Sequence, residues 1–337
     1  MSSVKVTPTR QRVCLLGATG TIGRATLRVL VQRGYDVVCF VRAPRSNGRP
    51  IGSPIDVDGA TGASTRVVDF ADAASIVRDG FRGEHFDAVV SCMASRTGAP
   101  ADAWAIDYRA HVAVLEAARS AGVAHVVLLS AICVQKPVLA FQHAKLAFER
   151  ALIESGLTYS IVRPTAFFKS LSGQIERVRR GKPFLLFGDG MRTSCKPISD
   201  NDLANYLADC LEEQRLWNCV LPIGGPGPAM TPKQQGEFLL SLFGRTPRFQ
   251  RIPIALLDRI VGVMAALGRL IPPLAEKAEL ARIVRYYATE SMLVLDPITG
   301  RYDEAATPST GSETLFDFYR SVVAGASAPD RGDHAVF

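Results

Sequence analysis

Residues 12–32 read RVCLLGATGTIGRATLRVLVQ, and the stretch GATGTIG (17–23) decides what surrounds it. Five mostly apolar residues lead into it, and a helical pattern leaves it. Gly17, Gly20 and Gly23 therefore sit between a strand and the mouth of a helix, the context in which such spacing is informative. Glycine allows a tight turn and lets the backbone approach a pyrophosphate. The helix start offers unpaired N–H groups and a favourable dipole. The stretch predicts a nucleotide phosphate on the turn, with Thr19, Thr21, Ile22 and Arg24 completing it.

Working outward, the chain repeats strand and helix. The pattern predicts strands over 12–16, 36–41, 65–70, 87–91, 124–130 and 158–164, and helices over 21–33, 102–121 and 141–155. The apolar runs lack period-2 alternation, as expected where both faces of a parallel strand are covered. This predicts an α/β chain with a Rossmann-type doubly wound parallel sheet and a smaller C-terminal substrate-binding lobe. The expected division is 10–165 for the nucleotide-binding domain. The lobe takes 166–325, partly interleaved with the sheet. Disordered tails are expected at 1–9 and 326–337, with fraying from about 322. The Gly/Ser/Pro-rich stretch 43–65 reads as a surface loop and 222–228 as a hinge.

At the end of the second strand, an NAD site would offer an acid to the ribose. This chain offers Arg42, with Arg24 and Arg45 nearby. Guanidinium binds a 2′-phosphate bidentately where a carboxylate would repel it, so the expected cofactor is NADPH. Asp69 and Phe70 close the third strand, where a carboxylate can meet the adenine amino group.

The chain has 337 residues, 47% hydrophobic and 21% charged, enough for a substantial core. The formal net charge of +7 suits an anionic cofactor, an acidic substrate or an anionic membrane surface. Basic residues are dispersed, so no nucleic-acid partner is expected. The seven cysteines form no C-x-x-C and read as free thiols of a reducing compartment; no metal site is expected. The N-terminus lacks a signal-peptide core, and no apolar run is long enough to span a bilayer. A cytoplasmic location follows as an expectation. The stretch 252–275 could roof a bound ligand or rest on a membrane surface, although packing against the nucleotide-binding lobe is the preferred reading for most of its residues. The oligomeric state stays open.

Residues 12–230 resemble the atypical short-chain dehydrogenase/reductases, including the NmrA-like branch. Two stretches narrow the likeness: SIVRPTAFFKSLSGQIERVRRGKPFLLFGDGMRTSCKPISDNDLA (160–204) and ARIVRYYATESMLVLDPITGRYDEAATPSTG (281–311). With 17–42 and 128–149, they are similar to the NADPH-dependent 8-vinyl reductases of divinyl chlorophyllides. The resemblance implies reduction of a C8 vinyl group to ethyl on a tetrapyrrole substrate.

It also implies roles. Lys145 matches the family lysine that binds the nicotinamide ribose. Ser130 stands where many relatives hold a catalytic serine, and could equally serve as a helix cap. Pro164, Thr165 and Phe167, with Arg163, follow the sixth strand toward the nicotinamide or the substrate. Phe141 occupies the place of the tyrosine in Tyr-x-x-x-Lys. A phenyl ring cannot protonate a carbonyl, but a carbon–carbon double bond develops no alkoxide that needs one. Phe141, Phe167 and Phe168 are the candidates for holding a flat apolar ring, with Lys169, Arg177, Arg179 and Arg180 close by in sequence. Two alternatives remain. One is another ene reductase of the superfamily. The other is a non-catalytic NADP(H)-sensing regulator or assembly subunit.

Overall fold

The computed structural model describes residues 11–43, 63–268 and 272–326. The seven strands of the main sheet all run parallel, in the order β3-β2-β1-β4-β5-β6-β8. They are β1 (Arg12–Leu16), β2 (Asp36–Val41), β3 (Ala63–Val67), β4 (Ala88–Ser91), β5 (His125–Leu129), β6 (Thr158–Pro164) and β8 (Cys219–Ile223). Two strands of the lobe, β7 (Phe184–Phe187) and β9 (Phe249–Ile252), pair with each other.

The helices in chain order are α1 (Thr21–Gln32), α2 (Ala73–Ser75), α3 (Pro100–Ala103), α4 (His111–Ser120), α5 (Ala140–Glu154) and α6 (Phe168–Leu171). They continue with α7 (Ile175–Arg179), α8 (Asp200–Glu212), α9 (Pro232–Leu242), α10 (Ile254–Gly268), α11 (Pro272–Thr289) and α12 (Leu315–Val323). A π-helical segment, Trp104–Ala110, joins α3 to α4.

Successive strand residues point to opposite faces. Val13, Leu15, Val37, Cys39, Val90 and Val127 pack beneath α1 and α8. Cys14, Leu16, Val38, Phe40, Val89 and Val126 pack on the other face with residues of α4 and α5. Both faces are dry, which is why these strands read as unbroken apolar runs. The order reverses between β1 and β4, and in such sheets ligands bind at the carboxyl ends of the strands beside the reversal.

Several expectations shift. After residue 165 the chain returns to the sheet, where α8 packs on α1 and β8 pairs with β6, so residues of the lobe and of the sheet interleave. The stretch 222–228, expected as a hinge, is closely packed at one of its glycines. A Cβ on Gly225 would lie 1.9 Å from the Pro197 carbonyl oxygen, so this backbone is wedged in place. The third strand begins at 63 and ends at 67; Val68 and Phe70 are buried beyond its end. Helix α12 runs to Val323, past the expected onset of fraying. Residues 1–9, 327–337 and most of the expected loop at 43–65 lie outside the described residues. The cysteines are all free. Among the described residues no cluster suits a metal ion, and no helix is long and apolar enough to cross a membrane.

Helix α10 departs furthest from expectation. It packs on α11 rather than on the sheet. Leu256, Ile260, Val263 and Leu267, at helical spacing along one face, are 47%, 39%, 58% and 45% exposed.

Candidate active site

A cavity of about 730 Å³ runs from the turn after β1, across the ends of β4, β5 and β6, into the lobe. Its size falls within the range of small-molecule sites.

The glycine turn forms one end. Gly17 has φ +75°, and a Cβ there would lie 2.6 Å from the Cys92 backbone at the end of β4. A Cβ on Gly23 would lie 2.1 Å from the Gly17 carbonyl oxygen. These two glycines let β1, β4 and α1 meet at the reversal of the sheet. Gly20 differs: it is the N-cap of α1, is exposed, and lines the cavity with Thr21, Ile22 and Gly23. No side chain caps α1, and its first turn carries no acid, so its leading N–H groups and dipole are available to an anion. The Arg24 side chain donates to the Thr19 carbonyl at 3.2 Å and braces the loop. This cradle fits a nucleotide pyrophosphate.

The adenosine side is less enclosed. Arg42 is exposed just after β2, where a 2′-phosphate can be met, while Arg45 lies outside the described residues. Asp69 is exposed and accepts from the Ala71 N–H at 2.9 Å. The Phe70 ring is buried in the core beneath the sheet, so only its backbone can face a cofactor.

Lys145 and Phe141 line the middle of the cavity, one turn apart on α5. The Lys145 ammonium lies 3.0 Å from an Asp107 carboxylate oxygen. Asp107 is 1% exposed, accepts from the Ser95 N–H, and leaves its second oxygen without a partner. A buried carboxylate is costly unless paired, so this one fixes the ammonium at the wall. The π-helical segment supplies Asp107.

Ser130 also lines the cavity, but its hydroxyl donates to Glu149 at 2.5 Å. Glu149 is buried and paired with Arg163. The serine proton is thus committed to a link between β5, α5 and β6, and the geometry gives it a structural partner rather than a reacting one.

Beyond β6, Pro164, Thr165 and Phe167 line the cavity. The Thr165 hydroxyl donates to the Lys196 carbonyl. The Phe168 ring, expected at the substrate, instead packs in the core of the lobe, 5.4 Å from Phe318. Adjacent residues point apart, and only one of the two phenylalanines can face the cavity. Lys169, expected beside the substrate, reaches back to donate to the Thr21 hydroxyl at 2.6 Å. Arg177, Arg179 and Arg180 hold neighbouring carbonyls and Glu176 on the far side of the lobe. Asp200 lines the cavity near Lys169, and burial pushes its carboxyl up to about 6.

The NAD(P)H-binding family matches residues 17–214. The rice protein (Oryza sativa subsp. indica) named divinyl chlorophyllide a 8-vinyl-reductase, chloroplastic, is 48% identical over 98% of this chain and 83% of its own length. Its maize counterpart is 48% identical over 96% of this chain and 82% of its own. The chain belongs to the divinyl chlorophyllide a 8-vinyl-reductase family. The fold is also that of the NADPH-dependent quinone oxidoreductase QOR2 of Escherichia coli, with a TM-score of 0.63 over 92% of this chain and 99% of the other, at 17% identity.

In this vinyl-reductase chain, sequence reasoning missed Asp107, Glu149 and Asp200. Asp107 and Glu149 lie within stretches read as helix, and Asp200 opens a helix that the sequence reading did not predict. One signal was available for Glu149: it lies four residues after Lys145 and eight after Phe141, on the face that meets the sheet.

Proposed function

We propose that this chain reduces the C8 vinyl group of a divinyl chlorophyllide or protochlorophyllide to ethyl, using NADPH. Membership of the vinyl-reductase family supports the reaction. The observation that carries it onto this site is the shared cavity: an uncapped glycine turn at one end, Lys145 in the middle, and apolar walls from Phe141 and Phe167 beyond. Bound at the turn, NADPH supplies a hydride. The residues supply position. Gly17, Gly20 and Gly23 with Thr19, Thr21 and Ile22 seat the pyrophosphate, and Arg24 braces the loop. Arg42 meets the 2′-phosphate, and Asp69 with the Phe70 backbone borders the adenine. Lys145, held by Asp107, donates to the nicotinamide ribose, and Pro164 and Thr165 border the ring. Small errors in that placement are costly. Phe141 and Phe167 give the macrocycle apolar walls, as a flat hydrophobic ring requires.

We also place the working enzyme on the surface of a photosynthetic membrane. The exposed face of α10 can enter the headgroup boundary without spanning the bilayer. The chain's net charge of +7 and the exposed Arg251 and Arg259 beside that face favour an anionic lipid surface.

The reaction is tested by incubating purified protein with divinyl chlorophyllide and NADPH. A mass gain of two hydrogens at the C8 substituent is expected. An unchanged pigment with stoichiometric NADPH binding would favour the non-catalytic regulator instead.

A further inference from the structure

Helix α11 contributes to the cavity wall and approaches α5 at a few points. The Glu279 carboxylate accepts from the Ala140 N–H at 3.1 Å. Four residues on, the Ile283 side chain stands with the Phe141 ring beside Gly98, where an added Cβ would meet Ile283 at 3.0 Å and Phe141 at 3.5 Å. Four further, Tyr287 lines the cavity, as does Lys145, four residues after Phe141. Cys133 lines the cavity as well, and the Tyr287 hydroxyl is 3.8 Å from its sulfur. Tyr287 and Phe141 also pack on one apolar cluster. A phenol on α11 therefore lines the same cavity as the α5 position where this chain carries phenylalanine. Its one hydrogen-bond partner among the described residues is a thiol, a weak acceptor. Burial pushes the phenol well above its ordinary range, so it stays protonated wherever the enzyme works.

We infer that Tyr287 is the proton donor of the reduction, replacing from α11 the phenol that α5 lacks. This rests on the function proposed above. The terminal vinyl carbon gains the hydride, and the π pair moves onto the inner carbon and into the macrocycle. The Tyr287 O–H bond then breaks, and its proton forms the second C–H bond at the inner carbon. Water at the cavity mouth returns a proton to the phenolate. NADPH is oxidised, the vinyl group is reduced, and the phenol is regenerated. The Cys133 contact aims the hydroxyl without holding its proton, unlike Ser130, whose proton belongs to Glu149.

The test compares the full-length wild type with Tyr287→Phe. NADPH is titrated by fluorescence, and single-turnover reduction of divinyl chlorophyllide is followed in H₂O and D₂O. The variant should bind NADPH within about threefold of wild type yet reduce the pigment about 10²–10⁴-fold more slowly, the range for loss of a general acid. Wild type should show a solvent isotope effect on the reduction step. A variant within about threefold of the wild-type rate, or a loss carried wholly by NADPH affinity, would overturn the assignment. A wild type that leaves the pigment unchanged overturns the proposed function, and this assignment with it. An active wild type beside an active variant overturns the assignment alone. Should Tyr287→Phe not fold, 3-fluorotyrosine at 287 decides the question. It makes the phenol a stronger acid, so a changed rate of single-turnover reduction supports the assignment and a wild-type rate overturns it.

Discussion

Lys145 shows what a single residue's place in the sequence reveals and what it hides. Its spacing from Phe141 marks it as cavity-facing, but its partner Asp107 comes from a separate helical run. If the ammonium holds the ribose as proposed, Lys145→Met should weaken NADPH binding and lower turnover together. Fluorescence titration beside single-turnover reduction checks this; wild-type affinity with a collapsed rate would move Lys145 into the chemistry itself. Arg should substitute poorly at 145, since a planar fork does not replace a compact ammonium. Arg42 tests the other end of the cofactor. Arg42→Asp replaces a cation with an anion beside the 2′-phosphate, so NADPH should lose on the order of 2–4 kcal/mol while NADH changes little. Equal losses in the two titrations would show that Arg42 does not read the phosphate. Residue identity could not reveal orientation. Phe167 and Phe168 are chemically identical neighbours, and only the packing of α6 decides which one faces the cavity.

Among the elements, strands β1, β2 and β6 were legible because burial on both faces leaves an unbroken apolar run. The edge strand β3 was misplaced for the complementary reason. Its residues ASTRV are mostly polar, while Val68 and Phe70, which attracted the reading, are buried after the strand has ended. The expected helix over 102–121 hides a π-helical segment that periodicity does not resolve. The extra residue per turn brings Asp107 inward, beside Lys145. Directly after it, His111 is 3% exposed. Its Nδ1–H donates to the Ile106 carbonyl at 2.7 Å, and its Nε2 accepts from the Ser91 hydroxyl at 2.8 Å. Burial lowers its pKa to about 4. Below the unfolded value of about 6.5, the unfolded chain takes a proton that the folded one refuses. The contribution of His111 is therefore full above pH 6.5 and is lost as pH falls toward 4. Denaturant unfolding at pH 7, 6 and 5 should show wild type losing up to about 1.4 kcal/mol more per pH unit than His111→Gln. Equal slopes in the two proteins would mean that this imidazole is not buried in its neutral form.

For the whole molecule, the glycine turn announced the doubly wound sheet, but the lobe was legible only as a change of rhythm after residue 165. The returning strand β8 and the α10–α11 hairpin depend on long-range packing that no local pattern encodes. The hairpin has two unlike sides. Helix α11 gives Ile283 and Tyr287 to the cavity, while α10, tied to it by the Arg285–Asp258 ion pair, turns Leu256, Ile260, Val263 and Leu267 outward. An apolar pigment held in a membrane would thus meet a protein whose exposed apolar helix packs against a helix that lines its own cavity. Each exposed aliphatic side chain that leaves water should contribute about 1–3 kcal/mol to lipid binding. The double substitution Ile260→Asp with Val263→Asp should therefore abolish co-sedimentation with vesicles containing anionic lipid. NADPH affinity should be unaffected, since neither residue lines the cavity. Binding should be weaker to neutral vesicles and fall with salt, because exposed cations act over a Debye length of about 10 Å at 0.1 M. Retained co-sedimentation by the double variant would remove α10 from the membrane interface. A wild-type dimer in sedimentation analysis that the same substitutions convert to monomer would instead assign this face to a second copy of the chain.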